Sequence, residues 1–424
     1  MAKQTLNAGL IGYGMIGKVH AYSTAVLPWY APELPIVGRI VAVATSRMET
    51  ALRAQENLGS QTACDDYRKI IDAPSIDVVH ICTPNDQHLP ALIAAIRANK
   101  YIYCEKPLVA DQNEAQELRR VLAETQYARA NQLAHFLRGF AALRRAKELI
   151  DAGRLGQLVQ YRAGYYHSSM LDPVAPWRWK HGAKGGTNLD LASHLVDLVG
   201  WLVGLPAEVL ANATTLTPSR PERPLKPGES LDAVPFKPVE AEDSVTILTR
   251  GLHGGARVVP KLPSERVWEA PENSGDASTM PLAVADPDAS ASLTGVIEAT
   301  KLMSGTEDDL TLEICGTRGS LRFSLMNPHY LEYFDATEPS GVYGGDSGWK
   351  KIHCGGRYPS PESDFPSPKS SIGWVRAHVA SLAAFYRSIS DGHVHGADFE
   401  QALKVQDALA AIAESARKRV WVSL

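Results

Sequence analysis

Two segments of this 424-residue chain carry side chains suited to moving a proton and stabilising an anion. In Tyr103-Cys104-Glu105-Lys106-Pro107 a lysine stands beside a carboxylate and a proline, just past an apolar run. In Gly185-Gly186-Thr187-Asn188-Leu189-Asp190-Leu191-Ala192-Ser193-His194-Leu195-Val196-Asp197, helical spacing sets Asp190, His194 and Asp197 on one face, with Ser193 beside them. Most other positions through Leu202 are apolar or small, so the helix is buried and its polar stripe must be paired or line a cavity. On this segment alone, a satisfied core network is as good a reading as a reactive one. The lysine shifts the balance. An alcohol or ketone exchanging a hydride needs a group to take or give the hydroxyl proton and a cation at the developing alkoxide. Histidine supplies the first and lysine the second.

A third signal is Gly12-x-Gly14-x-x-Gly17, which follows the apolar run Ala8-Gly9-Leu10-Ile11 and opens a helix through Met15 and Ile16. Alone the glycine pattern is weak. Between a strand and a helix it predicts a pyrophosphate site, because the free N–H groups and dipole of a helix N-terminus attract anions. At the end of the second strand, where an NAD enzyme carries a carboxylate for the ribose diol, the chain reads Ala44-Thr45-Ser46-Arg47. Hydroxyls from Thr45 and Ser46 with the Arg47 guanidinium suit a 2′-phosphate, which favours NADP over NAD.

The elements that must position these groups follow from periodicity. Apolar runs at Ala8–Ile11, Ile40–Ala44, Val78–Cys82 and Tyr101–Cys104 alternate with helical stretches, as in a parallel sheet covered on both faces. Residues 1–135 are therefore expected to form an N-terminal doubly wound, Rossmann-type α/β domain. After a helix near Phe140–Ala152 the pattern changes to alternation at Leu158–Ala163, then strands at Asp243–Thr249, Gly295–Thr300, Leu310–Ile314 and Ser320–Phe323. Residues 136–424 are expected to form a C-terminal α+β domain on a mostly antiparallel sheet, ending in a helix at Phe399–Arg417 and an extension at Val420–Val422. Pro218–Pro238, His253–Ala291 and Gly341–Ser371 have the composition of long loops.

Composition narrows the classes. With 45% hydrophobic and 21% charged residues, no long apolar run and no secretory signal, the chain is expected to be cytoplasmic, without a membrane partner. Five cysteines (Cys64, Cys82, Cys104, Cys315, Cys354) without Cys-x-x-Cys spacing indicate neither a disulfide framework nor a metal site. A net charge of −4 with interspersed signs argues against nucleic acid and for a small neutral ligand.

Taken together, Gly-Leu-Ile-Gly-Tyr-Gly-Met-Ile-Gly at 9–17, Cys-Thr-Pro-Asn at 82–85 with His88, Cys-Glu-Lys-Pro at 104–107, the 185–194 segment and Glu-Ile-Cys-Gly-Thr-Arg-Gly-Ser-Leu at 313–321 resemble the Gfo/Idh/MocA family of sugar and inositol oxidoreductases. The resemblance runs nearly end to end. It implies a catalytic triad of Lys106, Asp190 and His194, with His194 as the acid/base and Asp190 binding a substrate hydroxyl or orienting the lysine. It implies cofactor contacts from Thr83, Pro84, Asn85, Glu105 and Lys106, with His88 in the matched segment. These join the contacts read above from position and chemistry, Gly12, Gly14, Met15 and Ile16 at the glycine turn and Thr45, Ser46 and Arg47 after the second strand. For substrate it implies Lys106, Asp190 and His194, with Tyr165, His167, Trp177 and Arg178 as further candidates. Pro107 follows what is often a cis bond, Arg138 stands where a Tyr-Arg pair is usual although Leu137 replaces the tyrosine, and Asp197 is placed behind the reactive groups.

Two departures from the family stand out: an insertion at His253–Ala291 and a lengthened loop at Val26–Gly38. The expected activity is NAD(P)-dependent hydride transfer to or from a secondary alcohol or ketone of a sugar, sugar derivative or cyclitol, in a homodimer or homotetramer. The alternatives are redox-assisted glycoside cleavage with a tightly bound cofactor, and a nucleotide-binding sensor without catalysis.

Overall fold

The computed structural model describes residues 3–171, 185–223, 225–253, 293–339 and 341–424. The chain first lays down β1 (Gln4–Ile11), α1 (Met15–Tyr30), β2 (Ile36–Ala44), α2 (Met48–Leu58), β3 (Thr62–Cys64), α3 (Arg68–Ile71), β4 (Val78–Ile81), α4 (His88–Arg97), β5 (Tyr101–Cys104), α5 (Gln112–Thr125) and β6 (Asn131–Leu133). Among the described residues these strands form a parallel six-stranded sheet in the order β3-β2-β1-β4-β5-β6. Every residue of β4 is buried, the pattern of a strand covered on both faces. The strand order reverses between β1 and β4, and in such sheets ligands bind outside the carboxyl ends at that point. Register brings Ile11, Ile81 and Cys104 level, so Gly12, Cys82 and Glu105 leave the sheet side by side.

The rest comprises α6 (Ala141–Asp151), β7 (Leu158–His167), a π-helical turn at Asn188–Ala192 running into α7 (Ser193–Leu202), β8 (Glu208–Thr214), β9 (Ser219–Pro221), β10 (Phe236–Pro238), β11 (Ser244–Arg250), β12 (Thr294–Thr300), β13 (Asp308–Gly316), β14 (Gly319–Ser324), β15 (Tyr330–Asp335), β16 (Trp349–His353), α8 (Trp374–Asp391), α9 (Phe399–Lys418) and β17 (Val422–Ser423). Among the described residues a nine-stranded sheet runs β16-β15-β14-β13-β7-β12-β11-β8-β17, antiparallel except where β12 lies parallel to β7. Its strands alternate in burial, β11 most regularly, because helices cover one face only. The expected α/β plus α+β architecture is therefore present.

Several expectations change. The lengthened loop at Val26–Gly38 is instead the end of α1, which continues through Pro28 to Tyr30 and leaves only residues 31–35 before β2. An interior proline costs roughly 3 kcal/mol, but burying Leu27 and Tyr30 returns about 1.5–3 kcal/mol each, and the Tyr30 hydroxyl donates to Glu362 Oε2 at 2.6 Å. β16 forms inside the loop-like Gly341–Ser371 stretch, and β9 pairs with β10 within Pro218–Pro238. The chain also returns to its first sheet. α8 packs on α1, and Ser381 of α8 joins it to β5 and β6 by accepting from Tyr103 Oη at 2.9 Å and from Gln132 Nε2 at 3.1 Å. Most of His253–Ala291 lies outside the described residues.

Candidate active site

The glycine turn after β1 fits a dinucleotide. Gly12 has φ +92°, a left-handed conformation, and a Cβ there would come within 2.5 Å of Cys82 O; one on Gly17 would meet Gly12 O at 2.2 Å. A Cβ on Gly14 would meet nothing within 4 Å, and Gly14 caps α1 without a side-chain bond, which leaves the first N–H groups of the helix to a ligand. Met15 is exposed on that first turn while Ile16 packs inward. After β4, the Thr83 hydroxyl is buried with no hydrogen-bond partner, the kind of polar atom a ligand completes. Pro84 is exposed and Asn85 buried at the same strand end. After β2, Ser46 and Arg47 are exposed at the start of α2, whereas the Thr45 hydroxyl is committed to Arg47 O at 2.9 Å and Thr50 Oγ1 at 2.6 Å.

Two expected cofactor contacts stand beneath these loops rather than on them. His88 is fully buried, with Nδ1 2.7 Å from Pro107 O and Nε2 3.0 Å from Thr83 O. Each ring nitrogen faces a backbone carbonyl and the neutral ring donates to one of them, so His88 braces the loops after β4 and β5 from beneath. Burial lowers its pKa against the pull of those two carbonyls. Glu105 is 6% exposed, and its oxygens go to His20 Nε2 at 3.0 Å and the Lys106 N–H at 3.2 Å. Burial works against its charge, but the His20 hydrogen bond and the charges of His20, His378 and Lys106 outweigh it and lower the pKa. The Lys106–Pro107 bond is cis.

Lys106 and the 185–197 segment do meet. Lys106 Nζ donates to Asp190 O at 2.7 Å and to Asp190 Oδ1 at 2.9 Å. Asp190 sits in the π turn, where backbone spacing is wider than in an α-helix, while His194 and Asp197 lie on α7. Ser193 bonds back to Leu189 O at 2.7 Å. His194 is 5% exposed, its ring edge-on to Phe136, Tyr165 and His135, and its Nδ1 has no hydrogen-bond partner. Burial first, then the Lys106 charge and His135, press its pKa well below the usual histidine range, so the imidazole is neutral and able to accept a proton. Asp197 closes the stripe with a two-pronged pair to Arg138, at 2.6 and 3.0 Å. Tyr165 and His167, two apart on β7 and therefore on one face, both donate to Asp308 Oδ1, at 2.7 and 2.9 Å. Burial and the Asp308 charge raise the Tyr165 pKa far above normal. Trp177 and Arg178 lie outside the described residues.

Sequence reasoning missed four contributors. Asp308 pairs with His167 across β7 and β13. Lys301, directly after β12, reaches Asp190 Oδ2 at 3.1 Å and is 3% exposed. Buried His135 and His378 complete the seam between the sheets, with pKa values pushed down by burial to about 4 and about 3. The signal for Lys301 was present, a lysine just past a strand like Lys106, but a chain with 43 Lys and Arg offers many such. Among the described residues no cluster of three or more His, Cys, Asp or Glu has the geometry to hold a metal ion, and no helix is long and apolar enough to cross a membrane.

A dinucleotide turn, a lysine at the switch-point edge and a neutral histidine across the cleft define a nicotinamide-dependent dehydrogenase. Comparison with known proteins places it more narrowly. Residues 6–130 match the oxidoreductase family, NAD-binding Rossmann fold; residues 143–259 match the GFO/IDH/MocA C-terminal domain; residues 290–424 match the oxidoreductase family C-terminal alpha/beta domain. Levoglucosan dehydrogenase of Pseudarthrobacter phenanthrenivorans is 30% identical over 434 residues, covering 99% of this chain and 98% of its own. Its structure in complex with NADH and levoglucosan superposes with a TM-score of 0.81 at 28% identity, over 99% of both chains. The NADP(+)-type scyllo-inositol 2-dehydrogenase of Bacillus subtilis is 30% identical over 209 residues, 49% of this chain and 54% of its own. The chain belongs to the Gfo/Idh/MocA oxidoreductase family. It is an NAD-dependent dehydrogenase acting on a CH–OH group of a small carbohydrate-type substrate.

Proposed function

We propose that this enzyme oxidises a secondary alcohol of a pyranose or anhydro-sugar, with cyclitols as the neighbouring class. The observation that carries this reading is the Lys106–Asp190 pair opposite a neutral His194. The nicotinamide supplies the hydride acceptor. Asp190 accepts two hydrogen bonds from the Lys106 ammonium, through its backbone carbonyl and Oδ1, and so fixes its direction, leaving a third N–H for the substrate oxygen. As charge develops there, Lys106 stabilises it, and His194 accepts the hydroxyl proton. Buried Tyr165, held by Asp308, and the half-buried His167 border the same space and are assigned to the sugar's other hydroxyls. The sugar preference rests on the end-to-end similarity to levoglucosan dehydrogenase.

Arg47 is proposed to admit a 2′-phosphate, which would make NADP a substrate alongside NAD. A homo-oligomer is proposed through the open face of the nine-stranded sheet, where Arg162, Tyr166, Glu298 and Arg322 line a depression of about 420 Å³. Sedimentation velocity tests this, and a monomer at micromolar concentration would sink it. The function itself is tested by following nicotinamide reduction with levoglucosan, L-sorbose, hexoses and inositols. Reduction with a sugar supports it; release of cleaved product without net reduction, or no turnover at all, overturns it.

A further inference from the structure

Lys301 is a buried cation that the reaction outlined above does not use. Its side chain is 3% exposed, a setting that strongly disfavours an ammonium group unless a carboxylate pairs with it. Its backbone is pinned on both sides: the N–H donates to Asp243 O at 3.0 Å, and the carbonyl accepts from the Met170 N–H at 2.9 Å. Thr300 of β12 lies beside Tyr166 of β7, so Lys301 leaves the sheet at the same end as His167 and Asp308. From there Nζ reaches Asp190 Oδ2 at 3.1 Å, while Lys106 holds Oδ1 at 2.9 Å. The carboxylate therefore lies between two ammonium groups, one on each oxygen.

That arrangement answers an electrostatic problem. A carboxylate that orients a lysine also cancels much of its field, because opposite charges a few ångströms apart act at a distance as a dipole. Asp190 alone would aim Lys106 and blunt it. A second ammonium on the far oxygen offsets the carboxylate and leaves net positive charge on the Lys106 side. We propose that Lys301 is a positioning residue for the reaction: through Asp190 Oδ2 it fixes the carboxylate and keeps the Lys106 charge available to the substrate oxygen. This rests on the reading of Lys106 as the substrate-facing cation.

Lys106, Asp190, His135 and His378 face His194, together with the Tyr165 ring. Lys106 and Lys301 hold Asp190, Tyr165 lies within its field, and Glu105 is next to Lys106. Tyr165 is itself bonded to Asp308, which also holds His167. Removing one positive charge from this set makes His194 easier to protonate, so the acid limb of the oxidative pH profile must move to higher pH.

The experiment uses the full-length enzyme with NAD and an alcohol that the wild type turns over. Lys301→Met is expected to lower kcat by about ten- to a hundred-fold, with the NAD KM within about two-fold, and to raise the acid limb of kcat/KM by roughly one pH unit. Lys301→Arg should return the limb and most of the rate. On an Asp190→Asn background, Lys301→Met should cost nothing further, since its effect passes through that carboxylate. Lys301→Gln gives the same reading if the methionine variant does not fold. A loss of rate with an unmoved limb, or losses that multiply with Asp190→Asn, overturns the proposal while leaving the function standing. A wild type that oxidises no alcohol overturns the function reading and this proposal with it.

Discussion

β4 is buried at every position, whereas β11 alternates buried and exposed residues, and the two sheets present their working groups in correspondingly different ways. At the carboxyl edge of the parallel sheet the ligand-facing parts are mainly backbone and shape: the Gly12–Gly14 turn, the uncapped start of α1 and the Thr83 loop. Polar side chains there, His88 and Glu105 among them, are turned inward to hold the loops. Across the cleft the nine-stranded sheet and α7 present side chains joined by charge: Asp190 with two lysines, Asp197 with Arg138, and Asp308 with Tyr165 and His167. Substitutions on the backbone-built side should therefore act on cofactor use, and those on the charge-built side on turnover and stability.

The largest expected effect is at the junction. Lys106→Ala should lower kcat/KM by about 10²–10³-fold or more while NAD affinity stays within about three-fold, read by steady-state kinetics and cofactor titration. A parallel collapse of NAD binding would break the division between the two sides. Next, Arg138→Ala strips the 1%-exposed Asp197 carboxylate of its two-pronged partner, leaving only His135 Nε2 at 3.6 Å, and should cost about 3 kcal/mol in urea unfolding. Loss of activity without loss of stability there would move Arg138 from the scaffold to the reaction.

The pH dependence should divide in the same way. Because His194 is held below the usual histidine range, oxidative kcat/KM should stay level as pH falls through the ordinary histidine value and drop only beyond it. Stability behaves with the opposite emphasis. His135 and His378 have folded pKa values lowered to about 4 and about 3, so their neutral burial is free above the unfolded value of about 6.5. As pH falls below that value the unfolded chain binds more protons, and stability declines toward the folded values, by up to about 1.4 kcal/mol per pH unit for each group. Thermal melts across this window check the sign; a melting temperature that rises on acidification would refute it. The smallest effect is on the backbone-built side. Arg47→Ala should leave NAD kinetics within about two-fold and reduce kcat/KM for NADP by about ten-fold, the value of one charge-assisted contact. Equal NADP use by the variant would remove Arg47 from cofactor choice.

Local pattern carried much of this. Continuous apolar runs predicted the parallel sheet, alternation predicted the second sheet, and the glycine turn stood out because a strand and a helix flank it. Lys106, Asp190 and His194 were readable as types at suggestive spacing. What local pattern missed has a common cause. α8 looks like any amphipathic helix until it closes on α1, and Tyr30 reads as a loop aromatic until Glu362, far along the chain, bonds it. His88 resembles a ligand group until the carbonyls of Thr83 and Pro107 occupy it.

The sequence by itself determined the two kinds of sheet, the dinucleotide turn and the chemical types of the reacting groups, because each follows from periodicity or composition within a few residues. Tertiary structure alone decided which polar groups meet. Asp190 joins Lys106 after β5 to Lys301 after β12, and a charge buried by that meeting is tolerable only where chain segments remote in sequence bring its partners within hydrogen-bond distance.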